Sequence, residues 1–348
     1  MKSFKQGALV TALSLTCSAS FAEGFNFYAL LDGGVASTSI KGVTTPAKMT
    51  EFVTGGYAPN FFGLTSEKTL GAGYSGGFKL EQGFLLNAPA TGNSRFAFGS
   101  DALFNRQANL YIKGSTGTVA FGTQPNIAFN SVLFSDPRSA PDYGSSLSAI
   151  VIDGGLGTID SNSASYTSPE IVGTKFAAQY VLGTSTTSNN GTGQRYSMTY
   201  KPKDFGLTAA YYSNASTTTP TSGTVLGATY QMGAVSLKAL STVQRASSTL
   251  KSLKTTGIGG SYMLSSETTL DIGSYKTKDT GYSMGTTAAG VQFKFLKDLT
   301  IYGQYALVKN SGTASTAFNF APPTVLTGTL TSGQTANTLN IGLLYGFF

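Results

Sequence analysis

The last ten residues of the chain restrict the fold more than any other segment, because every second residue there is apolar. The odd positions hold Leu339, Ile341, Leu343, Tyr345 and Phe347. Side chains alternate between the two faces of a β-strand, so a strand here would carry all five on one face. A soluble sheet edge this apolar would invite aggregation. The pattern therefore predicts a strand whose apolar face meets lipid, as in an outer-membrane β-barrel.

The first 22 residues have the pattern of a cleaved signal peptide. Two lysines precede a short apolar run, and Ser20-Phe21-Ala22 supplies the small residues that precede a cleavage site. We expect cleavage between Ala22 and Glu23, which leaves residues 23–348 as the mature protein. The apolar run is well short of the roughly 20 residues that a membrane-spanning helix needs. The sole cysteine, Cys17, lies in this segment, so we expect neither a disulfide nor a thiolate metal site in the mature chain.

The composition favours strands and turns over helices. The chain contains 43 Gly, 18 Tyr and 23 Phe, whereas only 11% of its residues are charged. Glycine, threonine, serine and aromatic residues are typical of short strands and of the turns between them. No window reaches the roughly 18 consecutive apolar residues of a membrane-spanning helix. Because no linker or change in composition follows Ala22, the mature chain is predicted to form one domain.

Alternation with a period of two recurs throughout the mature chain. In residues 195–201, two tyrosines and a methionine alternate with arginine, serine, threonine and lysine. The same pattern is found in residues 175–182, 225–232, 235–239, 289–295 and 299–307. A helix would scatter these apolar residues around its axis, so strands are predicted. The polar positions suit the wall of a water-filled lumen. An exported soluble β-sandwich would also alternate, but aromatic residues near the segment ends favour a barrel with girdles at the membrane interfaces.

The connections between the predicted strands alternate between short and long. Short connections are residues 114–117, 201–206, 231–234 and 296–299, and long ones are roughly 37–60, 87–104, 125–162 and 309–335. Short periplasmic turns and long external loops give this alternation in outer-membrane barrels. The sequence therefore predicts an all-β fold, a transmembrane antiparallel β-barrel of about 16 strands. The last strand should close the barrel by pairing with the strand near Phe27.

Three stretches in the first third of the chain share motifs with a known family. They are FYALLDGGV at 27–35, FGLTSEKTLGAG at 62–73 followed by FKLEQGF at 78–84, and LFNRQA at 103–108 followed by GTVAFGTQ at 117–124. In this order and at this spacing they resemble the general trimeric porins of Gram-negative bacteria, particularly the β-proteobacterial type. The resemblance implies a homotrimer with one channel per subunit. It also implies that the third external loop folds inward and narrows each channel.

The resemblance suggests which residues form the pore constriction. In the family, carboxylates of the third loop face basic residues of the wall across the narrowest point, and their fields set ion selectivity. Here that loop would follow Gln124 and would carry Asp136, Arg138 and Asp142, while Arg106 matches a basic wall position of the family motif. We therefore expect these four charged residues at the constriction. The ordinary alternatives are a salt bridge for the arginine and turn-forming or solvated aspartates in the loop.

The chain departs from the family pattern at the constriction and at its end. The family often has an arginine where this chain has Phe61, and another where it has Thr123. Strong anion selectivity is therefore not implied. Family members typically stop on one phenylalanine, which corresponds to Phe347, so Phe348 is a one-residue extension. The resemblance implies that Tyr345 and these two phenylalanines form the assembly signal for the barrel-insertion machinery.

Net charge and residue inventory argue against nucleic-acid binding and catalysis. The formal net charge is +7, and without the two lysines of the signal peptide 21 basic and 16 acidic residues remain, or +5. These basic residues are dispersed and not clustered with aromatic residues, as a nucleic-acid surface would require. Because the chain has no histidine, it has no Ser-His-Asp triad and no ordinary zinc site. We expect no enzyme activity, no cofactor and no metal.

These features predict an outer-membrane porin that forms a water-filled channel for passive diffusion of ions and small hydrophilic solutes. The expected partners are further copies of the chain in a homotrimer, outer-membrane lipid and lipopolysaccharide, the barrel-assembly machinery, and the solutes themselves. Two alternatives are left open. A substrate-selective porin for a sugar or anion would have a run of aromatic residues or many basic residues in its lumen. A non-conducting adhesive or structural barrel would bind through its loops rich in serine, threonine and glycine.

Overall fold

Antiparallel strands paired with their neighbours form one large sheet in the computed structural model, which describes residues 24–42, 47–86, 102–183, 190–313, 318–319 and 329–347. The strands are β1 (Phe25–Lys41), β2 (Ala47–Thr54), β3 (Phe61–Gly71), β4 (Tyr74–Gly83), β5 (Gln107–Gly114), β6 (Gly117–Pro125), β7 (Ile159–Thr167), β8 (Thr174–Val181), β9 (Gly193–Tyr200), β10 (Phe205–Asn214), β11 (Thr221–Met232), β12 (Val235–Arg245), β13 (Leu253–Met263), β14 (Thr268–Asp279), β15 (Tyr282–Leu296), β16 (Leu299–Asn310), β17 (Phe318–Asn319), β18 (Thr329–Leu330) and β19 (Thr335–Phe347). Between β6 and β7 lie α1 (Ile127–Ser135) and a π-helical turn (Ser148–Asp153).

The sheet closes into a barrel of 16 strands. It contains 17 strand segments, of which β2 and β3 follow one another along a single path beside β1. The last segment, β19, pairs with β16 on one side and with β1 on the other. This pairing runs from Ala29 opposite Phe347 to Lys41 opposite Thr335, which confirms the predicted closure between the last strand and the strand near Phe27. Closure thus pairs the first and last strands, which would be the free edges of an open sheet.

The period-two alternation places apolar side chains on the outside of the barrel. In β19 the five odd positions from Leu339 to Phe347 are between 43% and 56% exposed, whereas Asn340 is fully buried. The outward residues predicted on other strands are exposed as well: Phe176, Tyr196, Leu226, Leu237, Phe293 and Ile301. Such a band of exposed apolar side chains fits a surface in contact with lipid. None of the helices in the described ranges is long and apolar enough to span a membrane.

All four predicted short connections are confirmed, whereas the first predicted long loop is wrong. Two-residue connections join β5 to β6, β11 to β12, and β15 to β16. By contrast, β1 runs to Lys41 and β2 begins at Ala47, so only residues 42–46 connect them instead of the predicted 37–60. This stretch lacks apolar alternation because its inward side chains pair with one another inside the barrel. The hydroxyls of Thr38 and Thr338, for example, lie 2.8 Å apart.

Several predictions fall partly or wholly outside the described residues. The predicted cleavage site between Ala22 and Glu23 lies outside them, and so does Phe348. The predicted loops 87–104 and 309–335 are described only in part.

The third external connection, residues 126–158, folds into the barrel, as predicted. Its helix α1 begins after Asn126, whose side-chain oxygen accepts hydrogen bonds from the backbone N–H groups of Ala128 (2.9 Å) and Phe129 (3.3 Å). Such an N-cap satisfies donors that the first helical turn leaves without partners. The helix contacts strands β8 to β12 from inside the barrel. We refer to residues 126–158 as the inward loop.

Candidate functional site

Apolar packing holds the first part of the inward loop against one side of the barrel wall. Side chains of α1 and of the π-helical turn share one buried cluster with strands β10, β11 and β12. The cluster contains Ala128, Phe129, Val132, Ala140, Leu147, Ile150, Val151, Leu156, Ala210, Tyr212, Val225 and Leu240. Gly227 of β11 allows the close approach, because a Cβ there would overlap the side chain of Ser135 at the end of α1. Burial on this scale fixes the position of α1 in the lumen.

Asp136 stabilises the turn that follows α1. Its carboxylate accepts hydrogen bonds from the backbone N–H groups of Arg138 and Ala140 (both 2.9 Å) and from the N–H (3.1 Å) and hydroxyl (2.6 Å) of Ser146. It also accepts one from the hydroxyl of Tyr275 on β14 (3.0 Å). Asp136 is 0% exposed, so its charge is compensated by these donors and is not presented to the lumen.

Arg138 attaches the inward loop to a second part of the wall. Its Nε donates to the carboxylate of Asp271 on β14, and its Nη2 donates to the amide oxygen of Gln304 on β16 (3.3 Å). Its Nη1 donates to the backbone carbonyls of Tyr143 (2.8 Å) and Gly144 (3.1 Å) within the loop. The arginine is 2% exposed and the aspartate 6% exposed, so this ion pair is removed from water. The loop thus supplies the cation and the wall supplies the anion.

Asp142 lies in the same buried turn of the inward loop and is 1% exposed. It precedes Tyr143, whose pKa is raised above its ordinary range, first by burial and then by the negative charges of Glu51 and Asp142. The structure therefore brings Asp136, Arg138 and Asp142 together where the loop meets β14 to β16. Their assignment to the pore constriction stays a prediction, and the contacts of Asp136 and Arg138 support a role for these two residues in positioning the loop.

Arg106 lies on another part of the wall, immediately before β5. Its Nε donates to Glu81 of β4 at 2.5 Å, and its guanidinium carbon lies 4.8 Å from the centre of the Phe61 ring. Glu81 also accepts hydrogen bonds from the hydroxyl of Tyr28 (3.0 Å) and the side-chain amide of Gln107 (3.1 Å). The positive charge of Arg106 is thus largely neutralised by Glu81. Phe61, at a position where the family often has an arginine, packs on this guanidinium.

A cavity of about 130 Å³ separates the Arg106 wall from the inward loop. Glu81, Arg106 and Gln107 line its wall side, and Asn130 and Leu133 of α1 are among the residues that line its loop side. Asn130 is the exposed residue of α1, and it therefore faces the lumen. The wall side of the cavity carries opposite charges that balance each other, and the loop side is mostly apolar. This arrangement can discriminate solutes by size more readily than by charge.

The family follows from a comparison with known proteins. A family model described as Gram-negative porin matches residues 8–313 of the chain. The chain belongs to the Gram-negative porin family. As a porin it is an outer-membrane β-barrel protein that forms a channel, and the family indicates no enzyme activity. No protein with curated annotation matches the chain significantly.

Solved porin structures share the fold at low sequence identity. An anion-selective porin from Comamonas acidovorans superposes with a TM-score of 0.77 at 18% identity and covers 93% of this chain and 99% of its own. The outer-membrane protein OmpT of Vibrio cholerae, in its trimer form, gives 0.67 at 13% identity over 93% and 100% of the two chains. OmpF of Salmonella typhi in complex with daunomycin gives 0.66 at 16% identity over 93% and 97%. At these identities the likeness shows the fold alone.

Sequence reasoning missed the wall residues that hold the inward loop of this porin. Asp271, Tyr275 and Gln304 all point into the lumen and are buried by the loop. A weak signal was present for Asp271, since it is an acidic residue between two apolar outward residues of β14. Lys238 of β12 was also missed, and its Nζ donates to the hydroxyl of Ser139 in the loop at 3.0 Å. These contacts between the loop and the wall depend on how far the loop reaches across the barrel, which the sequence does not indicate.

Proposed function

We propose that this porin is a passive diffusion channel for ions and small hydrophilic solutes, with weak charge selectivity. The observation that carries this proposal is the pairing of Arg106 with Glu81, which leaves little net charge on the wall of the cavity beside α1. Ion selectivity in channels depends on rings or facing rows of uncompensated charge. The burial of Asp136 and Arg138 among their own partners supports the same conclusion. Flux should follow the concentration gradient, because no binding energy is coupled to movement.

The four charged residues named from the sequence take two roles in this proposal. Arg106 belongs to the wall of the constriction, together with Glu81. Asp136 and Arg138 are positioning residues that hold the inward loop at its height in the barrel, and Asp142 is buried in the same turn. The side of the loop that faces the opening is then α1, with Asn130 as its exposed polar residue.

Assembly and targeting are part of the same proposal. We propose a homotrimer, which is supported by the family and by the trimer form of OmpT from Vibrio cholerae. Tyr345 and Phe347 face outward at the end of β19, and with Phe348 they are proposed as the signal read by the barrel-assembly machinery. The exposed apolar band would contact outer-membrane lipid, with lipopolysaccharide at the external ends of the strands. Residues 1–22 are proposed as the signal peptide, cleaved between Ala22 and Glu23.

The reversal potential across a salt gradient tests the charge balance of the constriction. Arg106→Ala removes the cation that balances the Glu81 carboxylate, so we expect a shift toward cation selectivity in planar bilayers. Glu81→Gln removes the carboxylate that faces Arg106, so we expect a shift of opposite sign toward anions. Two variants with the parental reversal potential would contradict this assignment.

A substrate-selective porin is the second candidate, and one observation favours it. The ring of Phe61 lies 6.0 Å from the ring of Tyr28 and packs on Arg106, which gives the wall an aromatic surface in place of a basic one. Such a surface could bind a solute with an apolar face. Saturation of the flux by one solute at increasing concentration would support this candidate. A linear dependence for every solute tested supports simple diffusion.

A further inference from the structure

An excursion of six residues interrupts the second barrel strand. The segment β2 ends opposite Gly33 of β1, and β3 begins opposite Leu30. Only two residues of β1 lie between these partners, whereas residues 55–60 lie between β2 and β3. A β-bulge inserts one extra residue, so this insertion is too long to be one. We refer to residues 55–60 as the excursion.

Asp32 of β1 holds the excursion on the inner side of the barrel. One carboxylate oxygen accepts hydrogen bonds from the backbone N–H groups of Tyr57 and Ala58, both at 2.6 Å. The other accepts one from the hydroxyl of Tyr302 on β16, also at 2.6 Å. Asp32 is 0% exposed, and the side-chain amide of Asn60 donates to its backbone carbonyl at 3.0 Å. Charge-assisted bonds to consecutive N–H groups fix the excursion firmly in this position.

The excursion reaches across the inner wall as far as β15 and β16. The side-chain amide of Gln304 donates to the carbonyl of Gly56 at 2.7 Å, and that of Gln292 donates to the hydroxyl of Tyr57 at 2.7 Å. The rings of Tyr57 and Tyr302 pack with centroids 5.4 Å apart. A Cβ on Gly56 would lie 2.8 Å from the hydroxyl of Tyr302, so glycine lets the backbone approach the wall this closely.

The excursion and the inward loop meet at Gln304. The amide nitrogen of this residue donates to the carbonyl of Gly56, and its amide oxygen accepts from Nη2 of Arg138. The inward loop and the excursion, which are separate segments of the chain, thus form one continuous layer on the inner wall.

We propose that the excursion is a second constriction element, which sets the width of the channel together with the inward loop. Tyr57 and Ala58 are its partly exposed residues, and the other four are buried. Tyr57 is therefore the side chain that determines the size limit. The excursion has the sequence GGYAPN and contains no charged residue, so it restricts size without changing ion selectivity. This inference rests on the proposed diffusion channel and adds the element that limits its width.

Shortening the excursion tests the proposal. Residues 55–60 are replaced by Ser-Thr, because two residues continue the pairing opposite β1. Asp32→Ser accompanies the replacement so that no carboxylate is left buried without its partners. We expect single-channel conductance to rise at least about 1.5-fold, since conductance depends on the radius of the narrowest segment. Liposomes containing the shortened porin should also swell faster in large neutral sugars, with an unchanged reversal potential.

A side-chain variant keeps the test decisive if the shortened chain does not fold. Tyr57→Ala leaves the excursion and its backbone contacts in place, and it should raise conductance and sugar flux in the same direction. The matched control is Tyr111→Ala, because Tyr111 also points into the lumen but lies near the periplasmic end of β5. Parental conductance in both Tyr57→Ala and the shortened porin would overturn the proposal, and so would an effect of Tyr111→Ala as large as that of Tyr57→Ala. Absence of conductance in the parent protein would instead refute the proposed channel function.

Discussion

Replacing Arg138 by methionine should release the inward loop without unfolding the barrel. The substitution removes the donors to Asp271, to Gln304 and to two loop carbonyls. Within the described part of the chain, Oδ2 of Asp271 already has no hydrogen-bond partner, so Arg138→Met leaves a buried carboxylate with little compensation. Removing one partner of a buried ion pair typically costs about 3–5 kcal/mol. Strand pairing around the barrel does not involve this ion pair, so the cost falls on docking of the loop.

This cost corresponds to a large change in the population of the undocked loop. Each 1.4 kcal/mol is about a tenfold change in an equilibrium constant, so the ratio of docked to undocked loop should fall by roughly 100-fold or more. In single-channel recordings we expect added current fluctuations in the open state. Hydrogen exchange should accelerate in residues 136–147, while exchange in the barrel strands remains slow.

A double variant separates the ion pair from packing of the arginine side chain. Replacing both partners of a buried pair by apolar residues is often neutral or stabilising, so Arg138→Met with Asp271→Leu should restore quiet channels and slow exchange. Arg245→Met serves as a control, because Arg245 is exposed at the end of β12. The reasoning is refuted if Arg138→Met behaves like the parent, or if the double variant is as disturbed as the single one.

Two further predictions concern the inward loop. Burial raises the pKa of the Asp153 carboxyl from 3.8 to about 7, against the opposing effect of two hydrogen bonds donated by Asn319. The neutral form of the Asp153 carboxyl therefore stabilises the loop. This stabilisation is complete below about pH 3.8 and is lost as the pH rises through about 7. After correction for the intrinsic pH dependence of amide exchange, hydrogen exchange of residues 148–153 should accelerate over this pH range in the parent. Asp153→Asn should abolish this acceleration. Gly227→Ala should destabilise docking of α1 by about 1–3 kcal/mol through overlap with Ser135. The loop should therefore become more sensitive to protease in Gly227→Ala. In the control Gly285→Ala, where a Cβ would meet open space, protease sensitivity of the loop should not change. Equal sensitivity of the two variants would contradict the packing argument.

The strands were predictable because their signal is local. The alternation from Leu339 to Phe347 specifies which face of β19 meets lipid, and it requires no knowledge of the neighbouring strands. The turn at Gly114-Ser115-Thr116-Gly117 was equally clear from its residues. By contrast, β1 between Thr38 and Lys41 has few apolar residues, and it is a strand because β2 and β19 pair with it on both sides.

The candidate site was less predictable because its contacts join distant parts of the chain. The sequence indicated an inward loop with charged residues, but the partner of Arg138 lies 133 residues away on β14. The sequence GGYAPN was assigned to the end of an external loop. Glycine and proline indicate a break in a strand, but they do not indicate whether the chain then turns into the barrel or away from it. Asp32 is the residue that decides this direction, through bonds to two backbone N–H groups.

Current recordings of the parent protein in a planar bilayer, with different salt concentrations on the two sides, test the central claim most directly. A weakly selective diffusion channel predicts stepwise increases in conductance, grouped in threes for a trimer. It also predicts a reversal potential close to zero, because the Arg106–Glu81 wall carries little net charge. Absence of conductance steps, or a reversal potential near the full Nernst value for either ion, would contradict the account.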